Sequence, residues 1–176
     1  AMAVDGRDRP AGVLARGPWA PTQVSTRWSE QPFEPDDSIS AAADAALLEL
    51  GERGSPTHDG LGARVAGYEH GPDGLVLDMQ PVRWALRLAG DAVDSISSLC
   101  VVRDADGRWL AGRRAPWVAS WAGRWALGAG GAVEVGENPA ETLTRELEEE
   151  WSVAPERLSA EALIRLPTGL LLFVGL

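Results

Sequence analysis

Apolar and polar positions in the first half of the chain predict a small α+β unit. Ala and Leu dominate residues 40–53, which predicts a helix. The segments 63–69 and 75–80 predict two strands, and the Gly- and Pro-rich stretch between them is typical of a hairpin. Residues 81–88 alternate and predict a third strand. The first forty residues show no clear period, and we interpret them as an extended arm anchored by three aromatic residues, Trp19, Trp28 and Phe33.

The second half predicts a run of short strands interrupted by one helix. Its predicted strands are 95–102, 108–113, 124–127, 132–135, 162–166 and 169–176, and its predicted helix is 139–151. The turn chemistry of 104–107 makes the first two strands a hairpin. We therefore predict a division into an N-terminal extension or small α+β domain, 1–92, and a second domain, 93–176. The fold class is α+β.

The predicted helix 139–151 has clear start signals and two distinct faces. Asn138 is a good N-cap, Pro139 suits the first helical position, and Glu141 completes a capping box. An apolar stripe faces the core, and Glu146, Glu149 and Glu150 share a neighbouring face because positions three and four apart are adjacent on a helix. Crowded carboxylates repel one another, and a divalent cation with hard oxygen ligands reverses that repulsion.

The spacing around this helix resembles the signature of the Nudix hydrolase superfamily, G-x5-E-x7-R-E-U-x-E-E-x-G-U, in which U is a bulky aliphatic residue. The matching residues are Gly131, Glu137, Arg145, Glu146, Leu147, Glu149, Glu150 and Val153. Ser152 stands where the family has Gly. The left-handed backbone conformation costs a residue other than glycine about 1 kcal/mol. The chain is therefore expected to adopt a Nudix-type mixed sheet between helices.

The resemblance implies roles for individual residues. Glu146, Glu149 and Glu150 would bind Mg²⁺, with Mn²⁺ as the alternative, and Glu149, Arg145 and Glu137 would be the catalytic set. Arg145 would pair with Glu137 and orient the catalytic loop. We also predict that the glycines Gly130 and Gly131 and the arginines Arg113 and Arg114 bind substrate.

The resemblance further implies hydrolysis of the diphosphate linkage in a nucleoside diphosphate joined to another group, such as ADP-ribose or a nucleoside triphosphate. Two alternatives stay open: a ligand-binding or regulatory module that has lost catalysis, and another Nudix chemistry such as isomerisation of a prenyl diphosphate. The segment from Ser95 to Leu176 is short for the family fold and ends on an apolar run. We therefore expect a later strand and a closing helix to be missing from this chain or supplied by a partner.

Net charge and composition limit the classes of partner that the chain is expected to bind. The net charge of −10 argues against a nucleic acid, and six of the glutamates lie between Glu137 and Glu150. No apolar run is long enough for a membrane span. The expected partner is a small nucleotide-like substrate, and a homodimer stays open. The single cysteine favours a reducing, cytoplasmic compartment. With one cysteine, Cys100, neither an internal disulfide nor a cysteine zinc site can form.

The remaining unusual residues receive mostly structural interpretations. We expect His58 and His70 to be structural or exposed, and Cys100 to be a buried apolar residue. We expect four of the eight tryptophans to pack in the core: Trp84, Trp109, Trp125 and Trp151. Trp117 and Trp121 lie close behind the paired arginines, where they would suit stacking on a nucleobase.

Overall fold

The computed structural model describes residues 10–89, 93–118 and 121–176. Within them the α+β prediction is confirmed. The strands are β1 (Gly12–Trp19), β2 (Val24–Trp28), β3 (Leu61–Gly71), β4 (Gly74–Arg83), β5 (Ile96–Cys100), β6 (Ala111–Arg113), β7 (Trp125–Leu127), β8 (Ala129–Ala132), β9 (Ala160–Arg165) and β10 (Leu171–Gly175). The helices are α1 (Asp37–Glu52) and α2 (Pro139–Trp151), and none of the described helices is long and apolar enough to cross a membrane.

The strands form three sheets. A five-stranded sheet has the order β1-β9-β10-β5-β8, a three-stranded sheet has the order β2-β4-β3, and β6 and β7 form a separate hairpin. The five-stranded sheet is mixed, because β10 runs parallel to β5 and the other neighbours are antiparallel. The apolar run at the end of the sequence is thereby accounted for: Leu171 and Phe173 are fully buried on β10, an interior strand.

One core lies between the two larger sheets and α2. Its centre includes Leu77 of β4, Phe173 of β10, and Leu143 and Leu147 of α2, all at most 1% exposed. The apolar stripe predicted for the helix is therefore the face that packs. A second, smaller core joins α1 to the 3-10 turn Trp84–Leu88.

Three of the predicted elements are wrong. The first forty residues are not an arm, because β1 pairs with β9 and β2 pairs with β4. The predicted strand 81–88 is divided between the end of β4 and a 3-10 turn. The predicted strand 132–135 is displaced, because the glycine-rich segment Ala129–Ala132 itself pairs with β5.

Two further predictions concern the tryptophans and the domain boundary. Trp109 and Trp125 are not core residues, since they are 50% and 73% exposed. Trp151 does pack against the main core.

Because β1 joins the sheet that contains the strands of the second half, residues before 92 help to build that sheet. The division of the chain at residue 92 stays a prediction.

Candidate metal and active site

Helix α2 begins at Pro139, as its sequence predicts, and is fixed in place at its first turn. The Asn138 side chain accepts a hydrogen bond from the Ala140 N–H (3.0 Å), and Glu141 accepts one from the Asn138 N–H (3.1 Å). The Asn138 amide also donates to the carbonyl of Val24 on β2 (2.8 Å). The predicted capping box is confirmed, and the same cap residue ties the helix to the three-stranded sheet.

Arg145 is the centre of the polar network on α2. Its Nε donates to Glu137 Oε1 (2.8 Å) and its Nη2 to Glu137 Oε2 (3.2 Å), which is a bidentate ion pair. Nη2 also donates to the carbonyl of Ala132 at the end of β8 (3.1 Å). Arg145 therefore connects the helix to the loop between β8 and α2.

Glu137 is held by more than the arginine. Its Oε2 also accepts from the Thr142 hydroxyl (2.7 Å) and from the Glu134 N–H (3.0 Å). Burial opposes ionisation, but hydrogen bonds from Arg145, Glu134 and Thr142 outweigh it and lower the pKa of Glu137. These hydrogen bonds favour the charged form of Glu137 and tie it to the loop between β8 and α2.

Glu146 lies directly against the glycine-rich strand. It is 8% exposed, and a Cβ built on Gly131 would lie well under 3.0 Å from its carboxylate. Burial raises the pKa of Glu146, while Arg145 counteracts the rise by donating from Nη1 to Glu146 Oε1 (2.7 Å). Only glycine at position 131 leaves room for this carboxylate.

Glu149 and Glu150 extend the acidic face towards solvent. Glu149 accepts from Arg145 Nη1 (3.2 Å), and its side chain is 59% exposed. Burial raises the pKa of Glu150, and the Gly130 N–H and the positive charge of Arg114 counteract the rise. The negative charges of Glu149 and Glu150 also raise the pKa of Glu146, so the three carboxylates act on one another.

This donor set fits Mg²⁺ by its chemistry. Three carboxylates share one helix face, one of them is buried, and their mutual repulsion is what a divalent cation relieves. In this conformation the opposing charge comes from Arg145, which bridges Glu146 and Glu149. Among the described side chains no three acidic, His or Cys groups converge as a ready set of ligands.

The hairpin β6–β7 covers the end of α2 and separates the two predicted substrate arginines. Gly112 lies against the ring of Trp151, where an added Cβ would lie 3.0 Å from it. The strand pairing continues for one more residue, since the Arg114 N–H donates to the Arg124 carbonyl (2.9 Å). Because side chains alternate along a strand, Arg114 lies on the same face of the hairpin as Gly112. This position is consistent with the positive charge of Arg114 lowering the pKa of Glu150.

Arg113 lies on the outer face of the same hairpin. It is the cross-strand partner of Trp125, and its Nε donates to the Gly123 carbonyl (3.0 Å). The tryptophans proposed for base stacking, Trp117 and Trp121, are 58% and 47% exposed. The structure therefore brings Arg114, but not Arg113, towards the carboxylates.

Residues outside this site behave largely as predicted. Cys100 is buried. The ring of His58 lies 4.6 Å from that of Trp84, and its Nδ1 accepts from the Gly60 N–H, so it has a structural role. His70 lies exposed on β3. Ser152 adopts the left-handed conformation that the family's glycine would have there, with φ 54° and ψ 38°.

Sequence reasoning missed two contributors to the site. Thr142 is completely buried and holds Glu137, and the carbonyl of Ala132 receives Arg145. The position of Thr142, one turn into the helix and three residues before Arg145, is a signal that could have identified it. A backbone carbonyl carries no signal in the side-chain sequence.

Comparison with known families agrees with the geometry. Residues 95–166 match the family model described as the NUDIX domain. This range runs from the residue before β5 through the glycine-rich strand and α2 to the residue after β9. A comparison with curated proteins gave no significant match.

Proposed function

We propose that this chain is a Mg²⁺-dependent pyrophosphohydrolase. The match of residues 95–166 to the NUDIX domain supports this, since that domain indicates hydrolysis of nucleoside diphosphate derivatives. Its substrate is a nucleoside diphosphate linked to another group, of the ADP-ribose or nucleoside triphosphate kind. Water attacks one phosphorus of the diphosphate, and the bond to the bridging oxygen breaks. With an ADP-ribose-like substrate the products are a nucleoside monophosphate and the phosphorylated second group.

The observation that carries this proposal is the contact between the Glu146 carboxylate and Gly131. A buried carboxylate at this position costs free energy unless a cation accompanies it. The crowded Glu149 and Glu150 add negative charge on the same face. Arg145 supplies one positive charge to Glu146 and Glu149 and is shared with Glu137, so this face keeps an excess of negative charge, which favours a functional reason for it.

In this proposal Glu146, Glu149 and Glu150 hold Mg²⁺. The metal would neutralise charge on the phosphates and help to ionise the attacking water. Arg145 and Glu137 are positioning residues: their ion pair fixes the loop after β8 and orients the helix face. Arg114 binds a phosphate oxygen of the substrate, and Gly130 and Gly131 let the substrate approach the backbone.

The test is a panel of nucleoside diphosphate compounds assayed with Mg²⁺ for release of nucleoside monophosphate. We expect Glu149→Gln to lower turnover by about 10²–10⁴-fold on the substrate that is cleaved. Glu148→Gln is the matched control, because Glu148 is the exposed neighbour on the same helix and makes none of the site's contacts. Equal activity of both variants, or loss in Glu148→Gln alone, would contradict the proposal.

The binding-module alternative makes a different prediction for the same assay. It is favoured by Arg145, which already forms ion pairs with Glu146 and Glu149 where a metal ion would bind. In that case no compound of the panel is cleaved, although a nucleotide raises the melting temperature. A substrate cleaved in a Glu149-dependent manner rules this alternative out.

A further inference from the structure

The hairpin β6–β7 has one face that is open to solvent. Positions 109, 111 and 113 are exposed, whereas positions 110, 112 and 114 are half-buried, so the side chains alternate between two faces. Trp125 and Leu127 lie on the exposed face, because they are the cross-strand partners of Arg113 and Ala111. Trp109 forms an isolated bridge with Arg103. We define the hairpin face as Arg103, Trp109, Ala111, Arg113, Trp125 and Leu127.

The hairpin face combines exposed apolar side chains with positive charge. Trp109, Trp125 and Leu127 are 50%, 73% and 44% exposed. The Arg103 guanidinium lies 5.0 Å from the centre of the Trp109 ring. Residues 103–127 contain five arginines and two aspartates, a net charge of +3 in a chain whose net charge is −10. Trp and Arg are enriched where proteins bind one another, so this face has the composition of an interface.

Helix α1 has an exposed face of opposite charge. Its inner side packs in the smaller core through Ala43 and Leu47, whereas Leu48 is 71% exposed. Positions three, four and seven residues away from Leu48 share its side of the helix. We define the helix face as Ala41, Asp44, Ala45, Leu48 and Glu52, all of them exposed.

The surroundings of this helix face are acidic. From Asp37 to Glu52 the helix contains four carboxylates and neither lysine nor arginine. One of the four, Asp44, pairs with Arg83 (2.6 Å). The helix therefore offers an exposed leucine and two small alanines among negative charges, the counterpart of the tryptophans and arginines on the hairpin.

We propose that the hairpin face of one chain docks on the helix face of a second copy of the same chain. Docking removes exposed tryptophans and Leu48 from water and brings arginines towards carboxylates. Charge selects this pairing, because two hairpin faces or two helix faces would repel each other. Each chain carries both faces, so a two-fold dimer makes the contact twice.

This interface is separate from the proposed metal site. Arg114, the arginine proposed to bind substrate, lies on the other face of the hairpin, the face that covers the end of α2. The inference does not depend on the proposed hydrolase activity, so either proposal can fail without the other.

Sedimentation velocity of the whole chain measures the self-association. Concentrations up to about 100 µM are sufficient, since interfaces of ordinary size bind with micromolar or tighter affinity. We expect a dimer that forms as the concentration rises and that is weaker at high salt, because salt screens the charges of the two faces. A chain that stays monomeric, or a dimer that salt leaves unchanged or strengthens, overturns the proposal.

Two substitutions place on each face the charge that its partner carries. Trp125→Glu on the hairpin face and Leu48→Lys on the helix face should each weaken the dimer at least about tenfold. Trp117→Glu and Leu61→Lys are the matched controls, because these residues are 58% and 57% exposed but lie on neither face, and both should dimerise like the unaltered chain. Loss in Trp125→Glu without loss in Leu48→Lys would show that the hairpin face does not bind α1 and overturns the proposal.

A mixture of the two variants tests whether the two faces bind each other. Trp125→Glu keeps its helix face and Leu48→Lys keeps its hairpin face, so one unaltered contact forms between them. We expect the mixture to associate more tightly than either variant alone, and no gain on mixing overturns the proposal. Circular dichroism confirms folding, and Arg113→Glu takes the place of Trp125→Glu if that variant does not fold.

Discussion

Gly131 and Glu146 compete for one volume, because a Cβ on Gly131 would lie well under 3.0 Å from the Glu146 carboxylate. Gly131→Ala should therefore displace Glu146 and lower hydrolysis by about 10²-fold, since a displacement near 1 Å at a reacting centre has that effect. The assay is turnover with Mg²⁺, alongside circular dichroism to confirm folding. Gly51→Ala is the control, because a Cβ there meets nothing within 4 Å and should leave activity unchanged.

Gly131 and Glu146 lie on two elements that the sequence predicts unequally well. The start of α2 was predictable because its signals are local: a cap, a proline and a capping glutamate within four residues. The strand at Ala129–Ala132 was not, because glycine is a poor strand former and this segment is a strand only through its pairing with β5.

Contacts between residues distant in the sequence also explain the wrong predictions for the first forty residues and for Trp125. β1 has no regular alternation, and it exists because it pairs with β9, which lies far away in the sequence. Trp125 alternates like a core residue, but it lies on a two-stranded hairpin whose second face is open. Helix geometry alone predicts that the carboxylates of α2 share one face. Only the structure shows that Arg145 forms ion pairs with Glu146 and Glu149.

The Glu137–Arg145 ion pair predicts a pH dependence of stability. The folded pKa of Glu137 is lowered, so its stabilisation is complete above its ordinary pKa of 4.5 and disappears as the pH falls through the folded value. Glu137→Gln should lose about 1–3 kcal/mol of unfolding free energy at pH 7. Its difference from the unaltered chain should shrink below pH 4.5.

This dependence is measured by urea unfolding at several pH values in metal-free buffer. Glu134→Gln serves as the control, because Glu134 contributes only backbone groups to the network and its side chain is exposed. A difference between Glu137→Gln and the unaltered chain that stays constant with pH would rule out this account of the pair.

The left-handed backbone of Ser152 predicts a stabilising substitution. Ser152→Gly removes a conformational cost of about 1 kcal/mol at the end of α2, which should raise the melting temperature by about 2–4 °C. Differential scanning calorimetry measures it. The same replacement on β2, Ser25→Gly, should lower the melting temperature, because glycine in an extended strand adds only flexibility to the unfolded chain. A loss of stability in Ser152→Gly would show that the serine side chain itself matters there.

The hairpin β6–β7 predicts different roles for adjacent arginines. Arg114→Ala should raise KM for the diphosphate substrate at least about tenfold, since a hydrogen bond to a charged group contributes about 1.5–3 kcal/mol. Arg113→Ala should change KM little, because Arg113 lies on the outer face beside Trp125. Steady-state kinetics of both variants provide the comparison, and equal effects would contradict the assignment of faces.

Binding of Mn²⁺ tests most directly whether the acidic face of α2 is a metal site. Bound Mn²⁺ loses the sharp electron paramagnetic resonance signal of the free ion, so binding can be titrated without any substrate. We predict that the unaltered chain and Glu148→Gln bind Mn²⁺ alike, whereas Glu146→Gln and Glu149→Gln bind it at least about tenfold more weakly. No binding by the unaltered chain, or equal binding by all four proteins, would contradict the account.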